Sequence, residues 1–208
     1  MIVEQYGLKY SRVTEQDLEL IRYWRNKDFI RDTMQFRGYI TPEMQKEWFK
    51  KINNKYNYYF IIEADNQKIG LINYKDPLPH TKTAEGGIFI WEQDYWGTPI
   101  PVFASLTLLE CMYEILNLSD NSIVTVAKNN KRALTFNKML GYQIYEAYKN
   151  EDFYKLILTK ERYYEKTCKL KKAASIYAKG NTQIKITAKE SDVLSDDLIN
   201  YIRKTKAS

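Results

Sequence analysis

Apolar and polar positions alternate in a way that divides the chain into short strands and amphipathic helices. Residues 14–32, TEQDLELIRYWRNKDFIRD, open on a Thr/Asp capping signal and place Leu18, Ile21, Trp24 and Phe29 near helical spacing, which predicts one helix. A second helix is predicted at TPEMQKEWFKKI, with Thr41 as cap and Pro42 in its first turn. Two β-rich runs, YYFIIEAD and QKIGLINYK, are separated by the turn residues Asp65 and Asn66 and read as a hairpin. After the loop DPLPHTKT, AEGGIFIWE reads as a strand buried on both faces. The stretch YWGTPIP then leads into a helix with Val102, Phe103, Leu106, Leu109, Tyr113 and Leu116 along one side. SIVTVAK predicts a further strand, and NKRALTFNKML a helix closed by Gly141. YQIYEAYKN and DFYKLILTK make a last hairpin around Asn150 and Glu151. Beyond about residue 161 the pattern predicts a helix, an extended TQIKITA, and a helix starting near Ser191 or Ser195.

This order mixes an antiparallel start with strand-helix-strand crossovers, the signature of an α/β protein with a mixed α+β sheet. We expect one main domain over residues 1–160 and a basic helical extension over 161–208. A chain of 208 residues buries about 70% of its unfolded surface, enough to fold without staples.

Charge sharpens the division. Of the net +6, residues from Glu161 onward contribute +5, with 11 Lys/Arg against 6 Asp/Glu, which leaves the main domain nearly neutral. A nucleic-acid-binding domain would be basic throughout, so no nucleic-acid partner is expected. The two cysteines, Cys111 and Cys168, are too few and too differently placed for a disulfide framework or a zinc site, and with the single histidine His80 no metal is expected. No stretch approaches the roughly 20 apolar residues of a membrane span, and the N-terminus carries no basic region followed by an apolar run. The expectation is a cytoplasmic, soluble protein, monomer or homodimer, with no membrane partner.

The candidate chemistry centres on YWGTPIP. A strand that turns sharply into a helix presents unpaired backbone N–H groups at the positive end of the helix dipole, a cradle for a phosphate. Pro99 and Pro101 each remove a donor. Pro101 suits the first helical position, which leaves the amides of Gly97, Thr98, Ile100, Val102, Phe103 and Ala104 as possible donors.

The element order, together with AEGGIFI, YWGTPI and NNKRALTFNKMLGY, resembles the GNAT superfamily of acyl-CoA-dependent N-acyltransferases over about Leu8 to Lys160. The resemblance implies a splayed central sheet flanked by helices, with coenzyme A, as acyl-CoA, for co-substrate. Trp96, Pro99 and Pro101 stand where its phosphate turn has Q/R, G and G/A, so all three depart from the pattern. Asn130 would bond the pantetheine arm, which Arg132, Ala133 and Phe136 would line. A backbone amide near Ile90 or Trp91 would face the thioester carbonyl. Asn137 stands where many members have the tyrosine that protonates the leaving thiolate, so the general acid is left open.

Within the superfamily, IRYWRNKDFIRDTM and the strand AEGGIFI preceded by His80 look most like bacterial N-acyltransferases acting on nucleotide-linked amino sugars for surface polysaccharides and glycans. That resemblance makes a nucleotide-linked amino sugar the expected acceptor. Glu85, at the start of the strand, is the favoured base, because a carboxylate under apolar cover accepts a proton near neutrality. His80 is the second candidate. Arg25 and Arg31, with Asn26 between them, would hold the acceptor's diphosphate, and Tyr74 or Trp91 would stack on its rings. Two other readings stay open, a protein N-terminal acetyltransferase and a non-catalytic acyl-CoA-binding module.

Overall fold

A computed structural model describes residues 1–117, 119–146, 150–189 and 192–206. The chain opens with a hairpin, β1 (Ile2–Gln5) and β2 (Leu8–Arg12), which turns at Tyr6 and Gly7, both at positive φ. The helix expected over 14–32 is instead split into a 3-10 turn, α1 (Leu18–Arg25) and the short α2 (Asp28–Arg31). Lys27 between them is extended at φ −70, ψ 135. The cause is a long-range clamp, since Asn26 accepts from the Ile40 amide at 2.8 Å and donates to the Ile40 carbonyl at 2.9 Å. Next comes α3 (Pro42–Ile52), started as expected by Thr41, whose hydroxyl accepts from the Met44 amide.

β3 (Tyr58–Ala64) and β4 (Gln67–Leu78) form the hairpin at Asp65 and Asn66, whose φ values of 50 and 62 are those of a two-residue hairpin turn. β5 (Thr83–Ile90) follows, then α4 (Ile100–Glu110), which continues through π-helical turns to Leu116. β6 (Asn121–Ala127), α5 (Lys131–Met139), β7 (Gln143–Ile144) and β8 (Phe153–Thr159) complete the expected order, although residues 147–149 of the last hairpin lie outside the described residues. Gly141 ends α5 at φ 104. A Cβ there would come within 2.9 Å of Lys166, so both backbone and space require glycine.

The strands join into one sheet in the order β7-β8-β6-β5-β4-β3-β2-β1-β9, where β9 (Lys185–Thr187) lies in the tail, and among the described residues only β5 and β6 run parallel. β3 shows how the sequence pattern makes two layers. Tyr58, Phe60 and Ile62 face the cluster containing α4, while Tyr59 and Ile61 face α1–α3 with Leu18, Ile21, Phe49 and Trp91. Burial of each such side chain contributes about 1.5–3 kcal/mol.

The tail packs into the first of these cores. α6 (Lys160–Tyr177) contributes Tyr163 and Ala174, β9 pairs antiparallel with β1, and α7 (Asp196–Lys206) contributes Leu198 and Ile202. α7 begins at Ser195, which accepts from the Leu198 amide at 3.4 Å, whereas the alternative start at Ser191 lies outside the described residues. The Arg12 guanidinium fastens the tail by donating to the carbonyls of Val193, Asn54 and Asn57, and the N-terminal amine pairs with Asp192 at 2.8 Å. Among the described residues no helix is long and apolar enough to cross a membrane, and no cluster of His, Cys, Asp or Glu is arranged to hold a metal ion.

Candidate active site

The sheet opens at its parallel pair. β5 and β6 are paired only over Thr83–Glu85 and Asn121–Ile123. Past that point Gly86–Ile90 stay on β4 while Val124–Ala127 stay on β8, and the two edges line a cavity of about 880 Å³. The Trp91 amide donates to the Ile69 carbonyl on the β4 side. Strand alternation therefore turns the Ile90 amide toward the opening, and the Ile90 carbonyl already accepts from the Trp96 indole at 3.0 Å. Open strand edges of this kind are docking points for a ligand's amides and carbonyls.

At the wide end lies the phosphate turn. Gly97, at φ 78 with open space where a Cβ would stand, makes the bend. The helix starts at Ile100 with Pro99 as its cap, one residue before the expected Pro101, which lies at the second helical position. Much of the cradle is closed on itself. Val102 and Phe103 donate to the Pro99 carbonyl at 3.0 and 3.1 Å, Thr98 donates to Tyr95, and Ile100 to the Thr98 hydroxyl at 3.4 Å. The Gly97 amide has no protein acceptor among the described residues. The Arg132 guanidinium, from the first turn of α5, lies 3.6 Å over the Trp96 ring and brings a cation to the same place. Lys131, Arg132, Ala133, Phe136 and Asn137 line the cavity beside it. Asn130 lines it too, with its side-chain oxygen capping α5 at the Ala133 amide, 3.0 Å away. Asn137 turns back to donate to the Ala133 carbonyl at 2.8 Å. The side chains of Ile100 and Phe103 belong to the core, with Phe103 packed on Tyr6 and Tyr177.

The other wall is the α1–α3 face of β3, β4 and β5. Glu85 lines the cavity there, but not under apolar cover. Its carboxylate pairs with the Lys75 ammonium at 3.2 Å, its cross-strand neighbour, and Lys75 also reaches Asp76 at 3.3 Å. Burial works against the charge on Lys75, yet these two carboxylates outweigh it and raise its pKa. Arg25 lies against Phe89, half-buried, and its Nη1 is shielded from solvent with no hydrogen-bond partner. Desolvation lowers its pKa. Gln45 on α3 points into the same space with Nε2 equally without a partner. Above Gly87 sits the Asn73 amide, so close that a Cβ at Gly87 would lie 2.8 Å from its oxygen.

Several expected site residues lie elsewhere. His80 is exposed in the turn between β4 and β5, and Arg31 pairs with Asp28 at 2.6 Å on the surface. Asn26 is consumed by its clamp on Ile40. Trp91 is buried away from the cavity, with its indole donating to the Lys68 carbonyl and its ring stacked on Trp24. Tyr74 lines the cavity but is fully buried, with its hydroxyl donating to Ser119. Sequence reasoning missed Gln45, Lys75, Asn73 and Ser122, the hydroxyl partner of Tyr142. Lys75 was within reach, because a hairpin register places it opposite Glu85. A glutamine on a mixed helix face gave no such signal.

A sheet that parts beside a helix N-terminus, with backbone and cations at one end and a lysine-paired carboxylate at the other, defines a cleft for a phosphate-bearing acyl donor and a second substrate. The profile of the Acetyltransferase (GNAT) domain matches residues 8–143, and the chain belongs to that family. It is 28% identical over 152 residues to Acetyltransferase PseH of Campylobacter jejuni subsp. jejuni serotype O:23/36 (strain 81-176), covering 72% of this chain and 90% of that one. The solved structure of apo FdhC, a nucleotide-linked sugar GNAT, matches with TM-score 0.64 at 21% identity, covering 88% of this chain and 99% of that one. The Vibrio cholerae spermidine N-acetyltransferase in complex with CoA and spermine matches with TM-score 0.62 at 19% identity, covering 76% and 98%. The protein is accordingly an acyl-CoA-dependent N-acetyltransferase of the GNAT type, for which acetyl-CoA supplies the activated acyl group.

Proposed function

We propose that this N-acetyltransferase acylates the amine of a nucleotide-linked amino sugar, as part of glycan or surface-polysaccharide synthesis. The observation that carries the reading is Arg25, a half-buried guanidinium with an unpartnered nitrogen on the acceptor wall. An unpaired donor shielded from water costs about 1–3 kcal/mol, a strain that an anionic group of the acceptor would relieve. Among the described residues, the charged ones lining the cavity are Arg25, Lys75, Lys131 and Arg132 against Glu85 alone. A polyamine, carrying several positive charges, would meet repulsion there, whereas a sugar diphosphate would meet attraction. The description of FdhC as a nucleotide-linked sugar GNAT points the same way.

In this reading Glu85 takes the proton from the attacking amine, with Lys75 holding the carboxylate in place. The Ile90 amide and its neighbours on the open edge of β5 hold the donor. Arg132 and the Gly97 amide take its phosphates.

The test is thiol release from acetyl-CoA and longer acyl-CoAs, each mixed with nucleotide-linked amino sugars, polyamines and short peptides. Turnover confined to the sugar nucleotides is expected. Preferred turnover of spermidine or of a peptide N-terminus would overturn the reading.

A further inference from the structure

Expulsion of coenzyme A leaves charge on sulfur, and a proton must reach it. Asn137 does not supply one, since its side-chain amide is turned onto the Ala133 carbonyl. Among the described residues three tyrosines line the cavity, Tyr59, Tyr74 and Tyr142. Tyr74 commits its proton to Ser119 at 2.7 Å, and Tyr59 lies on the acceptor face, edge-on to Trp48. Tyr145, the other tyrosine near the end of α5, is exposed and does not line the cavity.

Tyr142 is different in position and in company. Its backbone amide donates to the Asn137 carbonyl at 3.0 Å, so the turn at Gly141 ties it to the end of α5, and its side chain lines the cavity as Asn137 does. Its hydroxyl lies 2.7 Å from the Ser122 hydroxyl, and either atom can be the donor. Ser122 is itself fixed, because its amide donates to the Tyr113 hydroxyl at 3.2 Å, which in turn donates to the Leu158 carbonyl at 2.7 Å. The pair sits where the strands part. Gly86 is the first residue of β5 beyond its pairing with β6, and a Cβ there would lie 3.3 Å from the Ser122 hydroxyl and 3.9 Å from that of Tyr142. Glycine at this position keeps the apex open to both hydroxyls.

We propose that Tyr142, seated on Ser122 at the apex of the opening, is the general acid that protonates the departing sulfur of coenzyme A. The phosphate turn lies at the wide end, and the open stretch of β5 spans about 13 Å at roughly 3.3 Å per residue. A donor anchored at the turn and laid along that edge ends with its sulfur toward Gly86. As the amine nitrogen bonds to the acyl carbon, the C–S bond breaks with its electron pair on sulfur. Tyr142 passes its hydroxyl proton to that sulfur. The proton lost by the amine leaves on the Glu85 side, and the tyrosinate regains a proton from water through Ser122. Amide and thiol emerge neutral. Burial raises the pKa of Tyr142, so its proton is in place throughout the working range of pH.

The binding half of the test needs no acceptor and so stands apart from the choice of sugar, and the turnover half uses whichever amine the enzyme accepts. Calorimetry of coenzyme A and of desulfo-coenzyme A, which lacks only the thiol, reads contact with the sulfur. Wild type is expected to prefer coenzyme A by about fivefold, the worth of one hydrogen bond of ~1 kcal/mol. Tyr142→Phe should lose that preference while binding desulfo-coenzyme A as wild type does. Its kcat should fall about 10- to 100-fold with the KM for acetyl-CoA within twofold. Equal wild-type affinity for the two ligands overturns the proposal without any variant, and so does a preference that survives in Tyr142→Phe. A lost preference with undiminished turnover shows a contact that is not an acid, and it equally overturns the proposal. Should Tyr142→Phe fold poorly, Asn137→Tyr/Tyr142→Phe returns a phenol to the same end of the cavity. Recovery of kcat in that double variant is expected, and recovery of folding without recovery of rate counts against the proposal.

Discussion

The two walls of the cleft are built on opposite terms. On the donor wall most polar groups of the turn and of the first half of α5 already have a protein partner: the amides of Thr98, Val102 and Phe103 bond within the turn, Asn130 caps α5, and Asn137 bonds its own helix, while the strand edges stay open. On the acceptor wall Arg25 and Gln45 each hold a buried nitrogen with no partner. Buried donors are nearly always satisfied in folded proteins, so two orphans in one recess mark what the recess awaits. The donor wall therefore offers shape and backbone edges that suit any coenzyme A thioester. The acceptor wall pays in stability for a preference, because an acceptor lacking the matching oxygens leaves those donors unpaired.

The largest break in this contrast comes at Glu85. Glu85→Gln is expected to lower kcat by about 100-fold or more, with coenzyme A affinity unchanged by calorimetry, since removal of a general base commonly costs 10²–10⁴. A rate within a few-fold of wild type would take Glu85 out of the mechanism and leave Lys75 and water to handle the amine's proton. Arg25→Met comes next and separates the walls most cleanly. It should raise the acceptor KM by tens of fold with the acetyl-CoA KM unchanged. It should also raise Tm by a few degrees, because about 1 kcal/mol of relief corresponds to roughly 2–4 °C in a chain of this size. A lower Tm would mean that Arg25 is a structural prop and that the anion site lies elsewhere.

How much of this was legible in the sequence depended on the range of the determining contact. The hairpin at Asp65–Asn66 was readable because both residues tolerate the left-handed backbone the turn demands. The start of α3 was readable from Thr41–Pro42, and the close of α5 from Gly141, each a local rule. The break in the first helix was not, since it is set by Asn26 reaching 14 residues ahead to Ile40. Nor was the place of the tail. Its strand β9 joins β1 through Arg12, Asp192 and the N-terminal amine, pairings nearly the length of the chain apart that no window of sequence contains. Within the site, the motifs AEGGIFI and NNKRALTF contribute residues to the lining of the cavity, because backbone and glycine spacing define its edges. They failed on partners. Asn26 and Arg31 share a stretch with Arg25, yet only Arg25 turns inward, and apolar cover was expected where Lys75 stands beside Glu85.

The smallest expected effect tests whether the donor wall is as self-sufficient as its hydrogen bonds suggest. Pro101 has no amide to offer and those of Ile100, Val102 and Phe103 are occupied, so the turn itself presents chiefly Gly97 to a pyrophosphate. Arg132, stacked on Trp96, brings the charge that the backbone withholds. Arg132→Met keeps length and apolar contact with the indole but removes the charge. Coenzyme A affinity should fall about three- to tenfold, the range of one partly exposed charge-assisted contact and one cation–π pair. The loss should shrink as salt rises, because screening removes from wild type what the variant already lacks. Acceptor KM should not move. An affinity that stays constant would mean that the first turn of α4 opens its internal bonds to receive the phosphates, so that the occupied amides of Val102 and Phe103, and not the guanidinium, form the cradle when the donor is bound.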